Sequence, residues 1–273
     1  MSISFARIVA RGALVCLVAA SSLIVVTRAA AGTAAEATIS TEPSARTMER
    51  FVTKLDGDTR GYYASTPMKL RFEGKDLLAY PPSTSASAHP LTVVYLHGVH
   101  GRAENGCPWF RGGASELGWL VCPEGAVRDA NGTASWGGNV VEQSAVVSRA
   151  LRAAQEHGAS AEPGVAVGFS QGGYVTLDLV KTGQGRFRGL VLIAAPDAHP
   201  SAQKLRAAGV VRVALAAGSA DAAHAPLVED TKRLQHEGMD ARFYDLGHVG
   251  HTYAADDTST LRDAIAWAGG IGE

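Results

Sequence analysis

An α/β fold, with a mostly parallel central sheet and helices on both faces, is the architecture this sequence predicts. Three observations predict it. Apolar runs such as Leu91-Thr92-Val93-Val94-Tyr95-Leu96 and Leu190-Val191-Leu192-Ile193-Ala194 have the composition of strands buried on both faces. Segments of helical spacing alternate with these runs, which is the pattern of strand–crossover–strand units. Once the N-terminal apolar stretch is set aside, roughly 240 residues remain, enough for one sizeable domain at 49–273.

The chain opens on the signature of export. Arg7 and Arg11 precede a nearly uninterrupted apolar run, Gly12 to Val26, and Ala29-Ala30-Ala31 offers a small-residue cleavage site. The run is about 15 residues, short of the roughly 20 that span a bilayer, so residues 1–31 read as a signal peptide and an uncleaved anchor is the competing reading. Residues 32–48 are rich in alanine, threonine and serine and read as a flexible leader. Cys107 and Cys122 remain in the mature chain. An exported, oxidising setting favours their pairing as a disulfide over two buried thiols. That bridge would close a loop of about 15 residues, worth ~3 kcal/mol.

The elements follow in order. Met68-Lys69-Leu70-Arg71-Phe72 alternates, and with the rest of Arg60–Tyr80 it reads as an antiparallel start to the sheet. Pro81–Pro90 is a Ser/Ala/Pro loop. Leu91–Leu96 and Trp119–Cys122 are buried strands, and Val140–His157 has helical spacing. Val165–Val167, Leu190–Ala194, Val210–Leu215 and Ala241–Leu246 are further strands, with helices at Pro226–Glu237 and Asp257–Ala268. Only about 14 residues, Pro196–Gly209, separate two of these strands, an ordinary crossover length that leaves no room for a large cap.

Gly168-Phe169-Ser170-Gln171-Gly172 lies between the strand at Val165 and a helical segment beginning at Gly173. In a chain with 31 glycines the motif alone is a weak signal, but its strand–turn–helix setting is that of a nucleophile elbow. A serine hydroxyl needs a base to take its proton, and the base needs a carboxylate to orient it. Both should follow later strands, because ligands bind at the carboxyl ends of parallel strands. Asp221 follows the strand ending near Ala216 and is the expected acid, with Asp197 as the alternative and Asp245, inside a strand pattern, third. His251, flanked by Gly250, is the expected base, with His248 as the alternative. Two N–H donors are needed for the oxyanion, and Gln171 should supply one. The turn Leu96-His97-Gly98-Val99-His100-Gly101 should supply the other, from Val99 or else His100, with the His97 side chain bracing the loop. Trp109, Phe110 and Trp136 lie in a long segment between Cys107 and Asn139, either as walls of the substrate site, the role assigned here to Trp109 and Trp136, or as packing within it.

Leu96-His97-Gly98, Gly168–Gly173, Gly218-Ser219-Ala220-Asp221 and Gly250-His251 together resemble the α/β-hydrolase superfamily over roughly residues 60–270. The elbow Gly-Phe-Ser-Gln-Gly-Gly is most similar to the phospholipase/carboxylesterase branch, which includes acyl-protein thioesterases. That resemblance implies an α/β-hydrolase fold, a Ser170–Asp221–His251 triad, hydrolysis of carboxylic esters or thioesters, and no cofactor. The export signal and the segment Cys107–Trp136 resemble instead the secreted polyhydroxybutyrate-depolymerase and feruloyl-esterase-like branch. Asp221 departs from the first branch, being followed by Ala222-Ala223-His224-Ala225-Pro226 rather than a Val-Pro-type segment.

Composition narrows the partners. Removing residues 1–31 takes away Arg7, Arg11 and Arg28 and no acid, so the formal balance moves from −1 to −4. A mildly acidic chain has no electrostatic footprint for nucleic acid. Neither cysteine has the spacing of a zinc site, and no glycine-rich dinucleotide fingerprint or phosphate loop is present, so neither metal nor cofactor is expected. The expected partner is a small-molecule ester, or an exposed acyl group on a larger molecule, met by a secreted or cell-envelope enzyme with no stable membrane insertion after cleavage. A serine peptidase and a non-catalytic binding protein on the same scaffold are the readings from other classes.

Overall fold

The computed structural model describes residues 67–72, 75–83, 90–162, 164–253 and 259–271. The expected signal peptide and leader lie outside the described residues, as do 49–66 at the start of the domain and 84–89 of the Ser/Ala/Pro loop. A hairpin, Met68–Phe72 (β1) and Lys75–Tyr80 (β2), begins the described chain, and Leu91–Leu96 (β3) follows. After β3 come Ala103–Gly106 (α1) and then, at the start of the long segment Cys107–Asn139, a 3₁₀ turn Cys107–Phe110 and Arg111–Leu117 (α2). It continues into Gly118–Cys122 (β4) and a small ribbon of Val127–Arg128 (β5) and Ala134–Ser135 (β6). Then come Val140–Glu156 (α3), Gly164–Phe169 (β7), Gln171–Lys181 (α4) and Phe187–Ile193 (β8). Ala202–Ala207 (α5), Arg212–Ala217 (β9), His224–His236 (α6), Asp240–Asp245 (β10) and Ser259–Gly269 (α7) complete it.

Eight strands form one sheet in the order β1-β2-β4-β3-β7-β8-β9-β10. The pairings β1–β2 and β2–β4 are antiparallel, and every pairing from β4 to β10 is parallel. The two-sided burial read from the apolar runs is what the strands show. In β3, Val93 and Tyr95 enter one core layer while Val94 and Leu96 enter the other. In β8, Val191 and Ile193 alternate with Leu190 and Leu192 in the same way. The first layer is closed by α2 and α7 through Ala114, Leu117, Leu261 and Ile265, and the second by α4, α5 and α6 through Leu177, Leu205 and Leu227. Helix α3 turns Ala150, Ala153 and Ala154 onto Trp119 and Val121 of β4, where small side chains let helix and strand approach. Each buried Val, Leu or Ile contributes about 1.5–3 kcal/mol of burial free energy, so the layers carry most of the stability.

Local chemistry sets the element ends. Asn139 caps α3 by accepting from Val141 N–H and Glu142 N–H, while Glu142 reaches back to Asn139 N–H, a capping box. Val210 and Val211, expected within a strand, precede β9: Gly209, at φ 84°, turns the chain, and Val211 N–H donates to Arg188 O at 2.7 Å just before the ladder begins. Strand β8 in turn starts three residues earlier than its apolar run, at Phe187. The crossover from β8 to β9 holds only the six-residue α5, and no cap domain is inserted there. Cys107 and Cys122 are joined, with Cα atoms 6.1 Å apart, tying the 3₁₀ turn to the end of β4. Among the described residues no helix is long and apolar enough to cross a membrane.

Leu192 is fully buried between β8 neighbours and the helices of the second layer. Its replacement by alanine is expected to lower the unfolding free energy by about 2–5 kcal/mol, measured by urea denaturation of the purified chain.

Candidate active site

The site is assembled at the carboxyl ends of β3, β7, β9 and β10. Between β7 and α4, Ser170 takes φ 50° and ψ −117°, a conformation that costs a non-glycine residue ~1–3 kcal/mol. Two backbone bonds hold it there: Ser170 N–H donates to Ile193 O at 2.8 Å, and Gly173 N–H donates to Ser170 O at 2.9 Å. Close packing does the rest. A Cβ on Gly168 would lie 2.5 Å from Gly172 O, and one on Gly172 would lie 2.0 Å from Leu96 O. A Cβ on Gly98 would stand 3.3 Å from Ser170 Cβ, so the turn after β3 lies directly against the serine.

His251 and Asp221 converge on that serine. His251 Nε2 is 2.9 Å from Ser170 Oγ, and His251 Nδ1 is 3.0 Å from Asp221 Oδ2. With Nδ1–H donated to the carboxylate, the Nε2 lone pair faces the hydroxyl, which is the tautomer able to accept its proton. Asp221 is buried, at 9 % exposure, and its Oδ1 accepts from Ala223 N–H at 2.9 Å, which fixes the carboxylate plane. The loops bearing the two residues are stitched together by Ser219 N–H to Gly247 O at 2.8 Å and Ala220 N–H to Val249 O at 3.1 Å. The alternatives lie elsewhere. His248 Nδ1 pairs with Ser219 Oγ at 3.2 Å. Asp197 is exposed beside His199, and Asp245 accepts from Gly247 N–H at 2.9 Å.

Gln171 and Val99, the two expected oxyanion donors, lie just after β7 and β3. Gln171 is the first residue of α4, where a backbone N–H has no partner within its helix. Val99 sits exposed in the turn closed by Gly101 N–H to Gly98 O at 3.2 Å. The fallback donor, His100 N–H, is committed to Ser135 Oγ at 3.0 Å. His100 holds φ 54°, and its Nδ1 lies 2.5 Å from Asp129 Oδ2. The Thr133 hydroxyl, which donates to the same oxygen, and then His100 hold the Asp129 carboxyl below the usual carboxylate range.

Beneath the turn, His97 braces the loop as its position suggested. The ring is 1 % exposed. Its Nδ1 lies 2.6 Å from Gly98 O and its Nε2 accepts Gly125 N–H at 3.0 Å, an arrangement that requires the neutral imidazole with its proton on Nδ1. Burial pushes the His97 pKa down. Trp136 Nε1–H donates to His97 O at 2.9 Å, and the Gln171 side chain clasps the Trp136 backbone at both its N–H and its carbonyl, at 2.9 and 3.1 Å. Trp136 and Trp109 are both buried, so of the two roles expected for them the structure places them as packing: Trp136 under the turn and Trp109 against Tyr253. Sequence reading named Gln171 for its N–H alone and passed over Ser135 and Tyr253, which no motif marks. A cavity of about 590 Å³ opens behind His97, lined by Lys69, Arg71, Glu124, Gly125 and Arg149 among others, and none of Ser170, Asp221 and His251 lines it. Among the described residues no cluster of three or more His, Cys, Asp or Glu side chains is placed to hold a metal ion.

No protein-family model matches the sequence, and no curated protein matches it. Solved structures do. TT1662 from Thermus thermophilus superposes with a TM-score of 0.54 at 22 % identity, covering 74 % of this chain and 96 % of that one. A carboxylesterase from Mesorhizobium loti gives 0.52 at 20 % identity over 74 % of this chain and 98 % of its own. The Bacillus cereus carboxylesterase gives 0.51 at 16 % identity over 80 % and 99 %. The chain has the α/β-hydrolase fold that these structures share.

Two outcomes follow from the site's packing. Gly172→Ala would drive a methyl group into Leu96 O, and it is expected to cost about 1–3 kcal/mol or more by chemical denaturation, whereas a helix-surface glycine would gain from the same change. The lowered His97 pKa means that, between its folded value and the ordinary 6.5, the unfolded chain binds the proton that the folded one refuses. Stability from this group is therefore complete above about pH 6.5 and is lost as pH falls toward the folded pKa. The slope of unfolding free energy against pH between 7 and 5, measured by denaturant titration, is expected to be shallower in His97→Gln.

Proposed function

We propose that this chain is a serine hydrolase that cleaves carboxylic esters through an acyl-enzyme. The observation that carries the reading is the unbroken hydrogen-bond chain from Ser170 Oγ through both nitrogens of His251 to a buried, doubly engaged Asp221. Ser170 Oγ attacks the ester carbonyl carbon as His251 Nε2 takes its proton. The oxyanion that forms is received by the N–H groups of Gln171 and Val99. As it collapses, His251 gives the proton to the departing alkoxide, and the alcohol leaves. Water, deprotonated by the same nitrogen, then attacks the acyl carbon and releases the carboxylic acid and free Ser170. Asp221 holds the imidazole in its productive tautomer throughout and faces the positive charge it acquires.

The substrate is a small-molecule ester or an acyl group exposed on a larger molecule. A crossover with only the short α5 between β8 and β9 supports an open site, and the carboxylesterases among the solved neighbours fit that class. No cofactor is needed by this route. The apolar run near the N-terminus and the Cys107–Cys122 disulfide support an exported enzyme acting outside the cytoplasm or in the cell envelope.

Residues 32–273 are expected to hydrolyse p-nitrophenyl esters of acetate, butyrate or octanoate. Ser170→Ala and His251→Ala should each lower kcat by at least ~10³-fold, while His248→Ala should stay within about twofold of the parent. A folded protein with no Ser170-dependent turnover on any of these esters would overturn the assignment.

A further inference from the structure

His251 is the least supported member of the constellation by secondary structure. It stands in a loop after β10, its side chain is 41 % exposed, and Ser170 is 81 positions away in sequence. On the β10 side the loop is tied by the backbone bonds to Ser219 and Ala220. On the other side, two residues past His251, stands Tyr253. Its hydroxyl is 2.5 Å from the hydroxyl of Tyr95, in the middle of the sheet on β3, 158 positions away. Its ring lies 4.5 Å from Phe169, 5.4 Å from Trp109 and 5.5 Å from Phe110, the last edge to face. Phe169 precedes Ser170, and its ring also meets the His251 ring, with centroids 5.1 Å apart. One side chain thus joins the loop carrying His251 to the strand carrying Ser170, to β3, and to the 3₁₀ turn that the disulfide pins to β4.

The hydroxyl pair is built into the core rather than left to solvent. Tyr95 is 1 % exposed and packs on Phe110 at 4.5 Å. A Cβ on Gly106 would fall on the Tyr95 phenol, so the helix beside it is cut away to admit that group. Burial, and next the neighbouring Tyr253, push the Tyr95 phenol well above the usual tyrosine range, so its hydroxyl stays protonated at neutral pH.

We infer that Tyr253 is a positioning residue for catalysis: its hydrogen bond to Tyr95 and its seat on Phe169 set where His251 Nε2 stands relative to Ser170 Oγ. The inference rests on the hydrolase reading above. A bond of this kind acts on the reacting geometry and not on substrate recognition. Losing it should slow turnover while leaving binding alone, because small displacements of a base from a nucleophile are costly even far from the substrate. Phenylalanine at either position keeps the ring and its packing and removes the shared bond.

The test is kcat and KM for p-nitrophenyl butyrate in Tyr253→Phe, Tyr95→Phe and the double variant, with thermal melting of each. The expected result is a fall in kcat of about tenfold in both single variants, KM within about twofold, and a double variant no slower than either single one, because both remove one interaction. A purely structural tyrosine pair would lower the melting temperature of the Phe variants and leave kcat of the folded enzyme unchanged, and that outcome overturns the inference. So does a double variant whose losses multiply. A parent protein that hydrolyses no ester and whose Ser170 does not react with a fluorophosphonate overturns the hydrolase reading itself, an outcome distinct from an active parent whose Phe variants are equally active.

Discussion

The turn at Ser170 is the constraint on which the rest of the site depends. A serine held at φ 50° exists only because its neighbours leave the chain no other path: Ile193 O takes its N–H, and the carbonyls of Leu96 and Gly172 occupy the space where side chains on Gly172 and Gly168 would stand. The strain has a return. It lifts the hydroxyl off the sheet and places the first N–H groups of α4 beside it, so in the proposed mechanism one piece of backbone would supply both nucleophile and anion receptor. The turn after β3 then lies against the serine, so closely that a Cβ on Gly98 would press on Phe169 and Ser170 at 3.0–3.3 Å.

Two imidazoles near this turn do different work because their surroundings differ. His97 is sealed beneath Trp136 and committed at both nitrogens to main-chain groups, so it acts as a fixed, neutral strut for the loop. His251 is open to solvent at its edge and has a carboxylate on one nitrogen and a hydroxyl on the other. Burial disfavours the charged form of His97, whereas a ring set between a carboxylate and a hydroxyl is the arrangement the proposed general base requires.

Much of the architecture was legible because it rests on patterns with a direct physical cause. Strands buried on both faces must be largely apolar, as Leu190–Ala194 is and as Leu91–Leu96 is but for Thr92, whose hydroxyl donates to Ser160 O. The order of serine, acid and histidine, each just after a strand, placed Ser170, Asp221 and His251 at one sheet edge before any coordinates. What could not be read depends on side-chain direction. Sequence spacing does not tell which of His248 and His251 turns toward the serine, since both follow β10. It does not show that Ser135 claims the His100 N–H, or that Trp136 and Trp109 face inward. Those outcomes are set by contacts between segments tens of residues apart: Trp136 on His97, Gln171 on Trp136, Tyr253 on Tyr95. The strand limits at Phe187 and Arg212 also shifted from their apolar runs, because hydrogen-bond pairing and not hydrophobicity decides where a ladder starts.

The order of the strands has a consequence for how the molecule comes into being. The serine's strand pairs with β3 and β8 in the middle of the sheet, so a chain emerging from its N-terminus can lay down most of the sheet and its elbow early. The histidine arrives only after β10, on a loop whose far anchor is a tyrosine seated on the third strand. On the proposed reading, the nucleophile's strand precedes in the chain the base that would activate it. A serine hydrolase built this way would stay chemically silent until the loop after β10 has closed onto β3, so that its activity would report that closure.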